Sequence, residues 1–411
     1  MKSKSDRIRT ASNSILAINA GSSSIKFALY DFEGEPQRRL WGKVDRVGLS
    51  GTTLTFTDTI KGKQDSYTLT DAESADAVGF LIDWLTEHAY LDALGGIGHR
   101  VVHGMRYSES QLVTPALLDD LNRVSLYAPE HLPRAIKLIK CCVERFPRVD
   151  QVVCFDTAFH HTMSRVARQL PIPRRFDKMG IQRYGFHGLS CTFLMRELER
   201  TAGIQASKGR IIIAHLGNGS SLTAVYDGKS VDTSMGFTPT AGLPMGTRSG
   251  DMDPGVTWYL MEVERLTPQA FSRMINHESG LLGISEISSD MRELLACQVS
   301  DGRAAEAVEF FCYQTRKWIG AFAAVLGGLD TLIFSGGVGE KSPEIRSRIC
   351  ESLGFLSIEL DQENNADNAS VISVVSKPVK VRVIPTNEEI VIATDTYSIL
   401  DGVRDSEKKQ G

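Results

Sequence analysis

IIIAHLGNGSSLTAVYDGKSVDTSMGFTPTAGLPMGTRSGDMDPG, from Ile211 to Gly255, is dense in glycine, holds two short runs of β-branched and apolar residues, and sets one arginine, Arg248, among small side chains. Such composition does not build a core. Glycine serves where backbone must turn with positive φ or let a ligand approach closely. Leu216-Gly217-Asn218-Gly219-Ser220-Ser221 lies between the strand-like runs Ile211 to His215 and Leu222 to Tyr226, so the segment reads as a β-hairpin whose tip is lined with backbone N–H groups. A nest of that kind suits an anion, phosphate first. A Gly-Asn-Gly hairpin turn without a ligand fits the same residues taken alone.

The run Ile15 to Asp31, ILAINAGSSSIKFALYD, has the same design, with a small-residue tip at Gly21 to Ser24. Laid over Ile211 to Asp227, it matches Ile15, Gly21, Ser24, Ala28, Tyr30 and Asp31 with Ile211, Gly217, Ser220, Ala224, Tyr226 and Asp227, strand alternation in phase. The match predicts an internal duplication: two α/β domains of like topology, each opening with a hairpin whose tip faces a shared cleft.

At 411 residues the chain is long enough for two domains or three, and 42% hydrophobic with 23% charged residues is ordinary globular composition. A net charge of −4 and a pI near 6.2 argue against a nucleic-acid surface. The basic start MKSKSDRIRT is followed by polar residues where a signal peptide places an apolar region, so it reads as a disordered extension. The most apolar long segment, Ile319 to Phe334, is broken by Gly327, Gly328 and Asp330 and reads as a buried helix and then a buried strand, leaving no transmembrane span. Seven scattered cysteines without a C-x-x-C pair fit neither a disulfide framework nor a zinc site, which makes a reducing cytoplasm the expected setting.

Between the hairpins, Thr70-Asp71-Ala72-Glu73 is a capping box opening a helix with Val78, Leu81, Ile82 and Leu85 on one face. A strand Ile97 to Val102 delivers Arg100 and His103; Thr114-Pro115 and Pro133 start helices; Val152 to Thr157 is a buried strand ending on Asp156. Beyond the second hairpin follow a helix Arg303 to Leu326, a strand Thr331 to Ser335, a glycine turn Gly336 to Glu340, a helix from Ser342-Pro343, a strand Val379 to Ile384 and a closing helix Ile390 to Leu400, with the last ten residues frayed. Arg100, His131, His187 and Arg248 occupy short segments without an evident packing role, and Asp156 and Glu388 stand at strand ends. Phosphoryl transfer needs that inventory, because its transition state spreads charge over oxygens that arginines, N–H donors and Mg²⁺ stabilise. Taken singly, His187 also reads as a hydrogen-bonded structural residue and Asp156 as a turn cap.

Seven segments together resemble the successive signatures of the acetate kinase family: Asn19 to Lys26 (NAGSSSIK), His99 to Gly104 (HRVVHG), Phe155 to His160 (FDTAFH), Tyr184 to Gly188 (YGFHG), His215 to Ser221 (HLGNGSS), Met245 to Asp251 (MGTRSGD) and Thr386 to Glu389 (TNEE). They stand in family order and span Ile15 to Leu400. The resemblance implies two duplicated ribonuclease H-like (actin-like ATPase) domains around a central nucleotide cleft. The expected domains are 1–157, completed by the C-terminal helix 390–411, and 158–389. The implied reaction is reversible phosphoryl transfer between ATP and acetate, giving acetyl phosphate and ADP, with Mg²⁺ as cofactor and Mn²⁺ as its substitute, in a cytoplasmic homodimer without nucleic-acid or membrane partners.

By the same resemblance, Arg100 and Arg248 hold the carboxylate and the phosphoryl group in flight, His187 stabilises the transition state, and Asp156 and His131 join the catalytic set. Asp156 and Glu388 position the metal with Asn19 beside them. Arg100, Val102, Phe186 and Pro239 line the acyl site. Lys26, His215, Gly217, Asn218, Gly219, Asp290, Met291, Arg292, Gly337 and Val338 meet ATP. A carboxylate nucleophile is already ionised at neutral pH and needs no general base, in keeping with this cationic list. Departures from the family pattern are Glu130 for leucine and Leu132 for asparagine in Ala128 to Pro133, Lys341 for asparagine, and Leu189 and Cys191 in Gly188-Leu189-Ser190-Cys191. Glu130 keeps a propionate or other short-chain acyl kinase as the alternative. An actin- or chaperone-like ATP switch is the rival of another class, and a metal hydrolase on Asp156, His160 and His161 a weaker third.

Overall fold

The computed structural model describes residues 13–408 apart from 22–23, 48–50, 89, 92 and 128–130. Glu130, the ends of the chain and the middle of the first hairpin tip therefore lie outside the described residues. Two units divide the chain, Met1–Ala158 with Asn387–Gly411, and Phe159–Thr386.

In the first unit eight strands form one sheet: β1 (Ser14–Ala20), β2 (Ser24–Asp31), β3 (Gln37–Asp45), β4 (Thr53–Asp58), β5 (Lys63–Thr68), β6 (Leu94–Val101), β7 (Gln111–Leu112) and β8 (Gln151–Phe155), in the order β5-β4-β3-β2-β1-β6-β8-β7. Strands β1 to β5 are antiparallel neighbours, whereas β1, β6 and β8 run parallel. Leu16, Ile18, Phe27, Leu29, Leu40 and Leu54 pack one face against Leu81, Ile82 and Leu85. Burying each such side chain contributes roughly 1.5–3 kcal/mol. The capping box at Thr70 and Glu73 is present, but the helix it opens stops at Ala75. Asp76 then caps a second helix, Ala77–Glu87, by accepting from the Gly79 N–H.

The opposite face is covered by the C-terminal helix Glu388–Lys408. Glycine explains its close approach. A Cβ on Gly98 of β6 would lie 2.3 Å from Thr396 Oγ1 and 2.6 Å from Ile392 Cγ2, so the sequence Gly95-Gly96-Ile97-Gly98 leaves a flat bed for a helix. The helix is longer than the expected Ile390 to Leu400: it starts on Glu388, so this carboxylate opens a helix rather than ending a strand, and residues 402–408 are helical rather than frayed.

The second unit holds β9 (Arg210–Leu216), β10 (Ser220–Tyr226), β11 (Lys229–Thr233), β12 (Thr331–Ser335) and β13 (Lys380–Val383), ordered β11-β10-β9-β12-β13. Hairpin, third antiparallel strand and two parallel strands repeat the β3-β2-β1-β6-β8 frame of the first unit. Strand β9 is apolar from Ile211 to Ala214, where both faces are covered. Ile212, Ala214 and Leu216 meet Phe311, Ile319 and Phe322 of the helix Gly302–Leu326, and Ile211 and Ile213 meet Cys191, Leu194 and Leu198 of the helix Gly188–Ala202.

The duplication holds in topology, and its residue alignment needs correction. Ile15 pairs with Tyr30 across the first hairpin, but Ile211 pairs with Val225, not Tyr226. Four residues separate Ala20 from Ile25, whereas Gly217, Asn218 and Gly219 alone separate Leu216 from Ser220. The shorter tip slips β10 by one position, which in a strand sends every side chain to the other face. The identities at Ser24, Ala28, Tyr30 and Asp31 are therefore out of phase. A second correction concerns Gly336 to Glu340, which form the helix Gly336–Lys341 rather than a turn.

Candidate active site

Each unit gathers its own set of polar groups at the ends of its parallel strands. In the first, Asn19 comes from β1, Arg100 from β6, Asp156 follows β8, and Glu388 and Glu389 open the C-terminal helix. Asn19 Nδ2 donates to Glu388 Oε2 and Glu389 Oε1, both at 2.8 Å, while its Oδ1 accepts from Arg100 Nη1 at 3.2 Å. Arg100 grips Asp156 through Nε at 3.0 Å and through Nη2. Asp156 is fully buried and Asn19 and Glu388 nearly so. Burial alone would lower the Arg100 pKa; Asp156, then Glu388 and Glu389, outweigh it and hold the guanidinium above its usual range.

Three carboxylates share this corner with one guanidinium, an excess of negative charge that suits a divalent cation. Among the described residues no three His, Cys, Asp or Glu side chains form a metal cage. Mg²⁺ asks for no such cage, since it keeps waters and substrate phosphates and takes one or two carboxylates. Asp156 and Glu388, with the amide oxygen of Asn19, fit that donor set. Val102 is buried just past β6, and His131 is the N-cap residue of the helix Leu132–Arg145, whose Leu132 packs into the core. Lys26 lies on the same sheet, lining with Arg38, Trp41, Lys43 and Glu389 a cavity of about 300 Å³.

In the second unit the hairpin tip, His187, His215 and Arg248 come together. A Cβ on Gly219 would stand 3.4 Å from His187 Nε2 and 3.7 Å from Arg248 Nη1, so absence of a side chain there lets imidazole and guanidinium come close to the tip. His187 has a left-handed backbone (φ 58°), caps the helix Gly188–Ala202, and its Nδ1 lies 2.9 Å from Ser221 Oγ. Its ring stacks on His215 at 4.3 Å between centroids, and His215 Nδ1 meets Ser190 Oγ at 2.9 Å. Arg248 Nη1 donates to the Pro239 carbonyl at 3.3 Å, which places Pro239 beside it. Phe186, directly before His187, is buried.

Next to the tip, a Cβ on Gly217 would be 3.7 Å from the Gly337 nitrogen, so the hairpin tip lies against the start of the helix Gly336–Lys341, while the Gly217 N–H itself donates to Ser220 Oγ at 3.1 Å. Gly336 (φ 74°) is required there, because a Cβ would press on the Leu216 carbonyl at 2.6 Å. Asn218 accepts from the Gly246 N–H through its backbone carbonyl at 3.3 Å. Asp290 caps the helix Met291–Cys297 and pairs with exposed Arg292, whose hydrogen bond holds its carboxyl below the usual range. The Met291 side chain is buried in the core against which Val338 packs.

Residue-by-residue reading passed over Ser190, Ser221 and Glu340. Ser190 also meets Thr386 Oγ1 at 2.8 Å, and Glu340 Oε1 accepts from the Gly336 and Thr386 N–H groups at 3.0 and 3.1 Å. Those contacts join segments far apart in sequence, and no local pattern announces them. His160 and His161 lie in a 3₁₀ turn, Ala158–Thr162.

Carboxylates with an arginine stand in one copy of the frame, and a glycine-rich tip with imidazole and arginine stands in its duplicate. Residues 14–394 match the model of the Acetokinase family, and the chain belongs to it. It is 42% identical over 398 residues to a propionate kinase of Citrobacter rodentium, covering 94% of this chain and 97% of that one. Identity to an acetate kinase of Rhodopseudomonas palustris strain TIE-1 is 39% over 399 residues, 96% and 100% of the two chains. The crystal structure of a propionate kinase from Francisella tularensis superposes with a TM-score of 0.87 at 35% identity, over 94% and 99% of the chains. The chain is thus a kinase that uses a carboxyl group as phosphoryl acceptor, with the duplicated actin-like ATPase fold. Among the described residues, no helix is long and apolar enough to cross a membrane.

Proposed function

We propose that the chain transfers the γ-phosphoryl group of ATP to acetate, reversibly, with propionate as the second acceptor. Arg248 beside Gly219 and His187 is the observation that carries this reading: a cation aimed over an N–H-lined tip has a task when phosphoryl charge passes there, and little when ATP only switches a conformation. Arg100 orients the acyl carboxylate, whose oxygen attacks the γ-phosphorus as the bond to the β-phosphate oxygen breaks and ADP leaves with the electron pair. Arg248 and His187 neutralise charge on the transferring oxygens, and His131 belongs to the same set. Val102, Phe186 and Pro239 present apolar surface to the short acyl chain. Gly217, Asn218, Gly219, Lys26 and His215 serve the ATP phosphates; Gly337, Val338, Asp290, Met291 and Arg292 surround its adenosine. Asp156, Glu388 and Asn19 would hold Mg²⁺, or Mn²⁺ in its place, and the bound ion would supply charge neutralisation of the phosphates.

Propionate is favoured as an alternative by the Citrobacter relative and by Glu130 in the acyl segment. Hydroxylamine trapping of the acyl phosphate from acetate, propionate and butyrate, with kcat/KM for each, decides between them. Each methylene is worth about 1–3 kcal/mol in such a pocket, and absence of product from all three acids would end the acyl-kinase reading. The protein acts in the cytoplasm as a homodimer. Its helix Pro254–Glu262 buries no residue, and Val256, Trp258, Tyr259 and Val263 are 40%, 65%, 49% and 50% exposed, an apolar face suited to a second copy. Light scattering of the wild type and of Trp258→Asp tests this, with a monomeric wild type refuting it.

A further inference from the structure

His160 is 1% exposed and bonded at both ring nitrogens. Its Nε2 lies 2.9 Å from the Phe186 carbonyl oxygen, and its Nδ1 2.9 Å from Ser230 Oγ on β11. A carbonyl only accepts, so Nε2 carries the proton and Nδ1 accepts from the Ser230 hydroxyl. The ring is neutral, and burial keeps it so by pushing its pKa down to about 4.

The carbonyl it holds belongs to the peptide that leads into His187. The backbone there is unusual twice over: Gly185 has φ 76° and His187 φ 58°. Left-handed conformation at a residue other than glycine persists only where its surroundings impose it. The surroundings are specific. A Cβ on Gly185 would sit 2.5 Å from Thr233 Cγ2 and 2.7 Å from His160 Cδ2, so the loop is moulded on the threonine and the imidazole together, and the Tyr184 N–H is tied to the Gly236 carbonyl at 3.0 Å. The Phe186 carbonyl thus fixes the direction from which His187 reaches Ser221 and the space over Gly219.

We propose that His160 is a positioning residue for His187, acting through the Phe186 peptide and never touching substrate. The proposal rests on the reading of His187 as a transition-state group. Gln at position 160 keeps an N–H donor at the reach of Nε2, whereas Asn reaches only as far as Nδ1 and loses the donor to Phe186. His160→Gln should therefore retain kcat, while His160→Asn and His160→Leu should lose roughly 10- to 100-fold, the loss expected when a reacting group is displaced by about an ångström. KM values for ATP and acyl acceptor should stay within about twofold, since ground-state binding is untouched.

The deciding experiment is a double-mutant cycle on kcat with His187→Ala. Once His187 is gone, adding His160→Asn should cost nothing further; a multiplicative loss in the double variant, or equal kcat for His160→Gln and His160→Asn, overturns the proposal. Should His187→Ala itself keep wild-type kcat, the reading of His187 fails, and that outcome is distinguishable from failure of the His160 proposal. Urea titration of each variant shows that it is folded, and if His160→Leu does not fold, the Gln and Asn pair carries the test.

Discussion

Asn19 and His215 occupy one place in two copies of a frame: each is the next-to-last residue of the central strand, β1 in one unit and β9 in the other. Around Asn19 the first copy collects an arginine and three carboxylates. Around His215 the second collects a stacked imidazole, serine hydroxyls and, across the hairpin tip, backbone N–H groups and Arg248. The shared topology delivers side chains to the ends of parallel strands in both. What differs is the charge placed there: an anionic corner suited to a cation and one carboxylate, against a cationic and N–H-rich corner suited to phosphates. Duplication supplied a scaffold, and its two copies carry different polar groups at the same strand ends.

The largest effect should come from the cationic half. Arg248→Ala is expected to lower kcat by about a thousandfold, as for removal of a strong transition-state donor, with ATP affinity largely kept. Steady-state kinetics beside calorimetric ATP binding measure both, and unchanged kcat would return Arg248 to a structural role and revive the switch reading.

Acid should test whether the halves are alike in stability. His99 in the first unit and His160 in the second are each buried, with pKa pushed by burial from 6.5 to about 4. The unfolded chain binds their protons more readily, so stability is fully present above about pH 6.5 and is lost as pH falls toward 4. Denaturant titrations at pH 7 and pH 5 should differ by on the order of 2 kcal/mol for each histidine. His99→Gln and His160→Gln should each remove its own share of that difference. If one substitution removes all of it, the two copies are not equivalent.

A steric test is smaller. Gly98→Ala in β6 forces the C-terminal helix off its bed and should cost about 1–3 kcal/mol. The apparent Mg²⁺ requirement should rise with it, because Glu388 stands at the start of that helix. Gly336→Ala, strained by its φ of 74°, should cost a similar amount but weaken ADP binding instead. Melting curves with Mg²⁺ and ADP titrations separate the two.

Much of the frame was legible in sequence because continuous apolar strands and proline or Thr-capped helix starts are local signals: Ile211 to Leu216, the cap at Thr114-Pro115 and the long helix before Leu326 all read directly. Register was not legible. The second hairpin is one residue shorter at its tip, and identities such as Tyr30 with Tyr226 favour an alignment that puts side chains on the wrong face. Nor was the helix at Gly336, where glycine chosen for closeness to Leu216 imitates a turn. Arg100, His187 and Arg248 stood out by type and Asn19 through the family resemblance, whereas Glu340, Ser190 and His160 owe their places to partners far along the chain.

The division of labour is tested most directly by ADP affinity measured calorimetrically in EDTA, where metal plays no part, for Asn218→Ala and Glu388→Gln. Asn218→Ala should weaken ADP about tenfold or more, while Glu388→Gln leaves it within about twofold and raises only the Mg²⁺ needed for turnover. Equal loss of metal-free ADP affinity in both variants, or loss in Glu388→Gln alone, would contradict the assignment of most nucleotide contacts to the second unit and of metal to the first.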